Sequence, residues 1–471
     1  MNRFIENNWL KACFVLLSMI IFSGGVFAQT DNCNCAPDEV LIELTAANQG
    51  ALPAVAAQYK LIPTPLDQVG TPPTYRMRIN RDLANGGTTQ TPLQITAAMA
   101  GDSRILTREV NRNLYQVEKT GLPWTIGRSW SIGRSWSIGG SSKGYGKQWF
   151  PDLIRLDQAH QINRGTRVDN GQPVIVAVLD TGIDLSHPAF AGKLVPGYDF
   201  VSGDDNPSEE GVAWQGSFGH GTHVAGIVAL TAPEAKIMPI RVLDANGEGS
   251  LWRIQAAIFW ALNHGADVIN LSLSYPNDIL PQDNKALKRL MDFCDDGVEL
   301  EINKNYPEIG NKRCVMVTGA GNGGNAQKVF PAALKAESVD IMSVGAIKRY
   351  DRFASFSTIN SEQGSGGDEW VRFLAPGEDI ISAIPGGRYA SWSGTSMAAP
   401  IVAGIAALVK AQNPTFTGHQ IFDRVEETGI DWKCTLTSRG YRIDTTRVDA
   451  YCALTNNEEC GVEIENVPCP E

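Results

Sequence analysis

The run Val174-Ile-Val-Ala-Val-Leu179 constrains this chain more than any other feature, because it is almost wholly β-branched and offers water no polar position. A strand of that kind carries apolar side chains on both faces, so it belongs inside a sheet that is covered on both sides. Val268-Ile-Asn-Leu-Ser-Leu273 and Val315-Met-Val317 read likewise, and helical patterns run from Arg253 to Asn263 and from Ala398 to Gln412, the second ending before Asn413-Pro414. Residues 148–454 are therefore predicted to form an α/β domain, an open and mostly parallel sheet with helices on both faces. In such sheets the reactive groups gather at the carboxyl ends of the strands.

Three segments place reactive residue types at those ends. They are Asp180-Thr-Gly-Ile-Asp184, His220-Gly-Thr-His-Val-Ala-Gly226 and Gly394-Thr-Ser-Met-Ala-Ala-Pro400. Asp180 follows the buried strand, where a poorly solvated carboxylate needs a donor, and an imidazole N–H supplies one. His220 is then the base. Ser396 precedes an apolar helical run, so its hydroxyl sits at a helix N-terminus whose free N–H groups favour negative charge. Aspartate orients histidine, histidine takes the proton of serine, and serine attacks a carbonyl to give an acyl-enzyme that water releases. The loop Thr318-Gly-Ala-Gly-Asn-Gly-Gly324 follows another strand and lets Asn322 present an amide donor to the oxyanion.

These segments, in the order Asp, His, Ser, together with the asparagine loop, resemble those of the subtilisin-like (subtilase) serine peptidases over roughly residues 148–450. The resemblance implies a serine endopeptidase that needs no cofactor for its chemistry. It also implies that extended protein or peptide substrates pair with backbone edges at Glu248-Gly249-Ser250 and Ser272-Leu273-Ser274, beside Gly321. Ser274 and Val329 stand where relatives often carry smaller residues, which predicts a narrowed S1 pocket and a preference for small or medium apolar P1 side chains. The alternatives are a peptide ligase or cyclase using the same triad, and a catalytically silent binding protein. The Asn/Gly-rich loop that often helps to bind calcium after the histidine helix is missing, so no metal ligand is assigned. Asp204-Asp205-Asn206 is read as a solvated acidic turn, and structural calcium stays unassigned.

Ahead of the catalytic region, residues 1–28 read as a signal peptide: Arg3 and Lys11 precede an apolar run from Ala12 to Phe22, and Val26-Phe-Ala28 suits cleavage. A secreted product is expected, in the medium or the periplasm, with no membrane-spanning segment. Residues 29–120 contain a βαββαβ-like α+β unit that is similar to the inhibitory propeptide of the family, so the chain's own propeptide is expected as a partner. Residues 121–147 repeat Ile-Gly-Arg-Ser-Trp-Ser and read as a linker, while 455–471 form an acidic, Cys-bearing tail. Eight cysteines remain after Cys13 leaves with the signal. An even set in an exported chain reads as disulfides, for which Cys294–Cys314, Cys434–Cys452 and Cys460–Cys469 are the nearest pairs, although spacing leaves the connectivity open. The net charge of −11 argues against nucleic acid or an anionic membrane as partner, and a monomer is expected. Asp184 is read as a turn brace and His223 as a packed structural histidine.

Overall fold

The structure is a computed structural model that describes residues 35–70, 73–116, 125–126, 137–212, 216–276, 287–288, 314–334, 341–360, 370–436 and 441–456. The expected signal peptide, most of the linker, most of the insertion after Pro276 and the tail beyond residue 456 lie outside the described residues.

The first unit follows the predicted order. Strand Cys35–Leu44 pairs antiparallel with Thr74–Arg78 on one side and with Ile105–Gln116 on the other, and helices Leu52–Gln58 and Pro92–Ala98 cover one face. The period of two decides which residues meet them: Val40, Ile42 and Leu44 join Val55, Met77, Ile95 and Met99 in a small core. Thr91 and Gln94 form a capping box in front of the second helix, with Pro92 in its first turn, which sets where that helix begins. Leu41 points the other way and packs with Trp252, Ile254 and Ile258 of the following domain.

In the larger domain, strand Ile175–Asp180 lies between Lys236–Arg241 and Val268–Leu271, both parallel to it, and the sheet continues through Val315–Gly319, Met342–Lys348, Phe373–Pro376 and Tyr441–Arg447. Its β-branched run behaves as expected of a doubly covered strand. Val176 and Val178 enter the core beneath helices His220–Thr231 and Thr395–Gln412, whereas Ala177 and Leu179 enter the core beneath helix Leu251–Asn263. The α/β class is thus the one expected.

Two local expectations need amendment. Residues 137–146, expected within the linker, form a strand Ser137–Gly140 that pairs with Arg388–Trp392 and a short helix Ser142–Gly146. Joining the edge of an existing sheet needs backbone groups and no apolar side chains, so Gly/Ser composition did not announce it. Helix Thr395–Gln412, contrary to the reading that no later segment is apolar enough, has the length and apolarity of a membrane span, and 94% of it is buried in the domain core. The sulfurs of Cys35, Cys314 and Cys452 are disulfide-bonded.

Candidate active site

The strand ends bring the predicted residues to one edge of the parallel sheet. Asp180 closes its strand and is fully buried; its Oδ1 accepts the Thr181 N–H at 2.8 Å and meets His220 Nδ1 at 2.7 Å. A carboxylate can only accept here, so Nδ1 carries the proton and the lone pair falls on Nε2. His220 opens helix His220–Thr231. The helix can start this close to the aspartate because position 221 lacks a side chain: a Cβ there would stand 2.2 Å from the Gly182 carbonyl oxygen and 3.1 Å from the Asp180 Cβ.

Behind the imidazole, Trp392 lies nearly parallel to the His220 ring at 6.4 Å between centroids and stacks on His223 at 4.3 Å. His223 Nε2 faces the Ala390 carbonyl at 3.1 Å, and burial pushes its pKa down to about 3, so the ring is a neutral packing element. Asp184 is likewise structural, its Oδ1 accepting from Ser186 and its Oδ2 from the Gly386 N–H.

Ser396 is the second residue of helix Thr395–Gln412 and is fully buried, with Oγ 3.4 Å from the Ser272 carbonyl oxygen. N–H groups in a first helical turn have no intrahelical acceptor, so that of Ser396 is available to an oxyanion. Asn322 stands beside it. The Thr395 N–H donates to Asn322 Oδ1 at 2.9 Å, which orients the amide and commits its oxygen, while the Gly321 N–H donates to Thr395 Oγ1 at 3.1 Å. Gly321 has φ of 100°, and a Cβ there would meet Thr358 Oγ1 at 2.9 Å, so this loop path excludes side chains.

Pro400 explains a further contact. Proline inside a helix has no N–H for the carbonyl four residues back and its ring pushes that carbonyl aside. Here the carbonyl is that of Ser396, and the Ser272 hydroxyl donates to it at 3.1 Å while Asn270 Nδ2 donates to Ser272 Oγ at 3.0 Å. The Ser272 side chain is therefore a strut under the serine helix. Thr395, to which the sequence assigns no role, holds the asparagine loop through its backbone and hydroxyl.

The two predicted backbone edges flank a strand from the chain itself. The end of Ile105–Gln116 pairs antiparallel with Glu248–Ser250, in the register Asn113↔Ser250, Leu114↔Gly249 and Tyr115↔Glu248. On its other side it pairs antiparallel with the strand Leu273–Pro276, through Leu273↔Gln116 and Ser274↔Tyr115. The Ser250 side chain caps helix Leu251–Asn263 by accepting from Arg253 N–H, and Asn111 of the first unit accepts from the Trp252 N–H at 3.1 Å. Glu109, also buried, accepts from Gln255 at 3.1 Å. Val329 packs against the asparagine loop, its Cγ2 3.3 Å from where a Gly321 Cβ would be. Asp204 is engaged in its own turn through the Asn206 N–H, and among the described residues no three His, Cys, Asp or Glu side chains converge as a metal site.

The sequence pattern of the Subtilase family matches residues 171–450, more than half of the chain, and that span includes Asp180, His220, Asn322 and Ser396. The chain belongs to that family. It is 36% identical over 321 residues to the thermophilic serine proteinase of Bacillus sp. (strain AK1), an alignment covering 66% of this chain and 67% of that protein. It is 35% identical over 267 residues to subtilisin NAT of Bacillus subtilis subsp. natto, covering 55% of this chain and 61% of that one. Among solved structures, fervidolysin from Fervidobacterium pennivorans, described as a keratinolytic enzyme related to subtilisin, superposes with a TM-score of 0.62 at 23% identity, over 91% of this chain and 62% of that chain. At that identity the superposition speaks for the fold. As a subtilase, the chain is a serine endopeptidase whose chemistry needs no cofactor.

Proposed function

We propose that this subtilase is exported as a zymogen and cuts proteins through an acyl-enzyme on Ser396, with His220 as general base, Asp180 as its orienting partner and Asn322 as oxyanion donor. The observation that carries this reading is the strand of the first unit seated between Glu248–Ser250 and Leu273–Ser274. A slot that takes one strand between two backbone edges suits an extended polypeptide of almost any sequence, because main-chain hydrogen bonds supply the affinity. Filled by the chain's own residues 113–116, the slot is closed to other substrates. That occupancy supports an autoinhibited precursor, as do the fully buried Asp180, His220 and Ser396. Asn111 supports it further by accepting from the Trp252 N–H at the N-terminus of a catalytic-domain helix, and Glu109 by accepting from the Gln255 side chain of the same helix.

In the reaction so proposed, Ser396 Oγ attacks the scissile carbonyl as its proton passes to His220 Nε2. The negative oxygen is held by the Ser396 N–H and the Asn322 amide, and the same proton leaves with the amine. Water then repeats the cycle on the acyl-enzyme. The substrate edges act through backbone, and Val329 beside Gly321 supports a P1 preference for small or medium apolar residues. The signal peptide directs export, the cysteines pair as disulfides, and the mature enzyme is a monomer released from its propeptide. Intact mass and N-terminal sequencing of the exported protein, wild type beside Ser396→Ala, test the reading. A wild type beginning between Gly121 and Gln148 with an uncut mutant is expected. Identical N-termini near Gln29, with no fluorophosphonate labelling of Ser396, would overturn it.

A further inference from the structure

Glu209 lies in the loop between Pro207 and the histidine helix, its stem partly exposed and its Oε1 buried. Oε2 accepts from the Thr222 N–H at 3.2 Å and from the Thr222 hydroxyl at 2.8 Å, and the Glu209 N–H donates to the Ile183 carbonyl oxygen at 3.0 Å. The Thr222 hydroxyl has one proton and spends its acceptor side on a backbone N–H, taking that of Asp184 at 2.9 Å. The Thr222 proton therefore runs to Glu209. Ile183 belongs to the turn that follows Asp180, and Thr222 to the first turn of the helix opened by His220, so Glu209 ties together the two segments that carry the Asp180–His220 hydrogen bond.

We propose that Glu209 is a positioning residue of the active site: it fixes the approach of His220 to Asp180, and its charge state sets how readily His220 takes up a proton. The proposal rests on the triad reading given above.

The charged and titratable groups around Glu209 are few. The strand end contributes Asp180, and the helix contributes His220 and the neutral His223. Asp184 turns its carboxylate toward Ser186 and Gly386, and Glu210 is paired with Arg241 at 2.8 Å. Among the described residues no Lys or Arg pairs with Glu209. Burial outweighs the hydrogen bonds that favour the charge, Asp180 adds to it, and the carboxyl is pushed up to about 7. Below that pH the group is neutral. Above it, a second negative charge joins Asp180 beside the imidazole and favours imidazolium, which raises the pH needed to free the base.

The test compares the matured full-length enzyme with Glu209→Gln and Glu209→Ala on a peptide anilide across pH 5 to 9. The low-field Nδ1–H resonance of His220 is also followed by proton NMR in the Ser396→Ala chain, with and without Glu209→Gln. Glutamine keeps the shape and two acceptor sites but never ionises. The acid limb of kcat/KM and the His220 titration are expected to move down by about half a pH unit, with kcat at pH 6 within about twofold of wild type. Glu209→Ala is expected to lower kcat about tenfold while leaving KM within about twofold, since geometry and not substrate binding is lost. Superimposable pH profiles and His220 titrations for wild type and Glu209→Gln would overturn the proposal, even if Glu209→Ala failed to mature. A wild type inert toward every peptide would instead overturn the proposed function, and the NMR titration would still decide the role of Glu209.

Discussion

Replacing Ser272 with alanine removes the hydroxyl that answers the carbonyl freed by Pro400. Ser272 is fully buried and bridges Asn270 Nδ2, at 3.0 Å, to the Ser396 carbonyl oxygen, at 3.1 Å. The alanine variant leaves both partners in a dry site where no water replaces the oxygen. One stranded acceptor costs about 1–3 kcal/mol, so about 2 kcal/mol is expected for the variant, with the Asn270 donor adding to it. The assay is urea unfolding in the Ser396→Ala background, which prevents self-digestion and leaves the backbone carbonyl in place. The decisive step is a double-mutant cycle with Pro400→Ala. Alanine at 400 regains an N–H that can close the helix bond to the same carbonyl, so the Ser272→Ala loss should shrink to under about 1 kcal/mol, a coupling of about 1 kcal/mol or more. Equal losses in the two backgrounds would refute the reasoning and place the role of Ser272 elsewhere.

Asn322→Ala should lower kcat about 10²–10³-fold with little change in KM, a magnitude taken over from the same kind of donor in a subtilisin and not worked from this site; a change confined to KM would remove Asn322 from the oxyanion site. Val329→Gly should open the pocket beside Gly321 and raise kcat/KM for a Phe over an Ala P1 about tenfold in a peptide library, and an unchanged P1 profile would show that the wall is set elsewhere. Asn111→Ala deletes the first unit's cap on the Trp252 N–H, so residues 29–120 added in trans should inhibit the mature enzyme about fivefold more weakly, and equal inhibition constants would deny the cap a part in docking. His223 is neutral when folded, with a pKa of about 3 against 6.5 in the free side chain, so the unfolded chain binds the extra proton between those values and stability falls as pH drops below 6.5. The urea midpoint of the Ser396→Ala protein should therefore fall from pH 7 to pH 5, and by less in His223→Gln; an equal fall in both would assign the effect to other groups.

The parts of the fold legible in the sequence are those written as local periodicity. The run ending at Leu179 names its strand to within a residue, since no polar position interrupts it, and the two-sided cover follows from the same six side chains. The last strand of the first unit is the instructive miss. Its apolar strand signal in the sequence is confined to Ile105-Leu-Thr107, yet it extends to Gln116: Arg108-Glu-Val-Asn-Arg112 reads as a solvated face while Glu109, Asn111 and Arg112 are buried. The partners of Glu109 and Asn111 sit well over a hundred residues away in the first turns of helix Leu251–Asn263, and polar burial of that kind leaves no hydrophobic signal. The same holds at the triad.

Asp180, His220, Ser396 and Asn322 were legible because glycines crowd around them, and each glycine marks a close approach that the structure bears out at positions 221 and 321. Thr395, Ser272 and Glu209 were not, since an ordinary hydroxyl or carboxyl group acquires its role only when a distant segment brings a donor or acceptor to it. These residues share a physical feature: each satisfies a backbone group, or a hydroxyl bound to one, that the geometry of the triad leaves exposed, the carbonyl before Pro400, the asparagine loop, or the first turn of the His220 helix. Asp180, His220 and Ser396 can be placed accurately only if those backbone groups are already satisfied, so the supporting residues are as much a consequence of the proposed triad's geometry as the three side chains themselves. Removing one should therefore disturb catalysis through angle and acidity before it disturbs the fold.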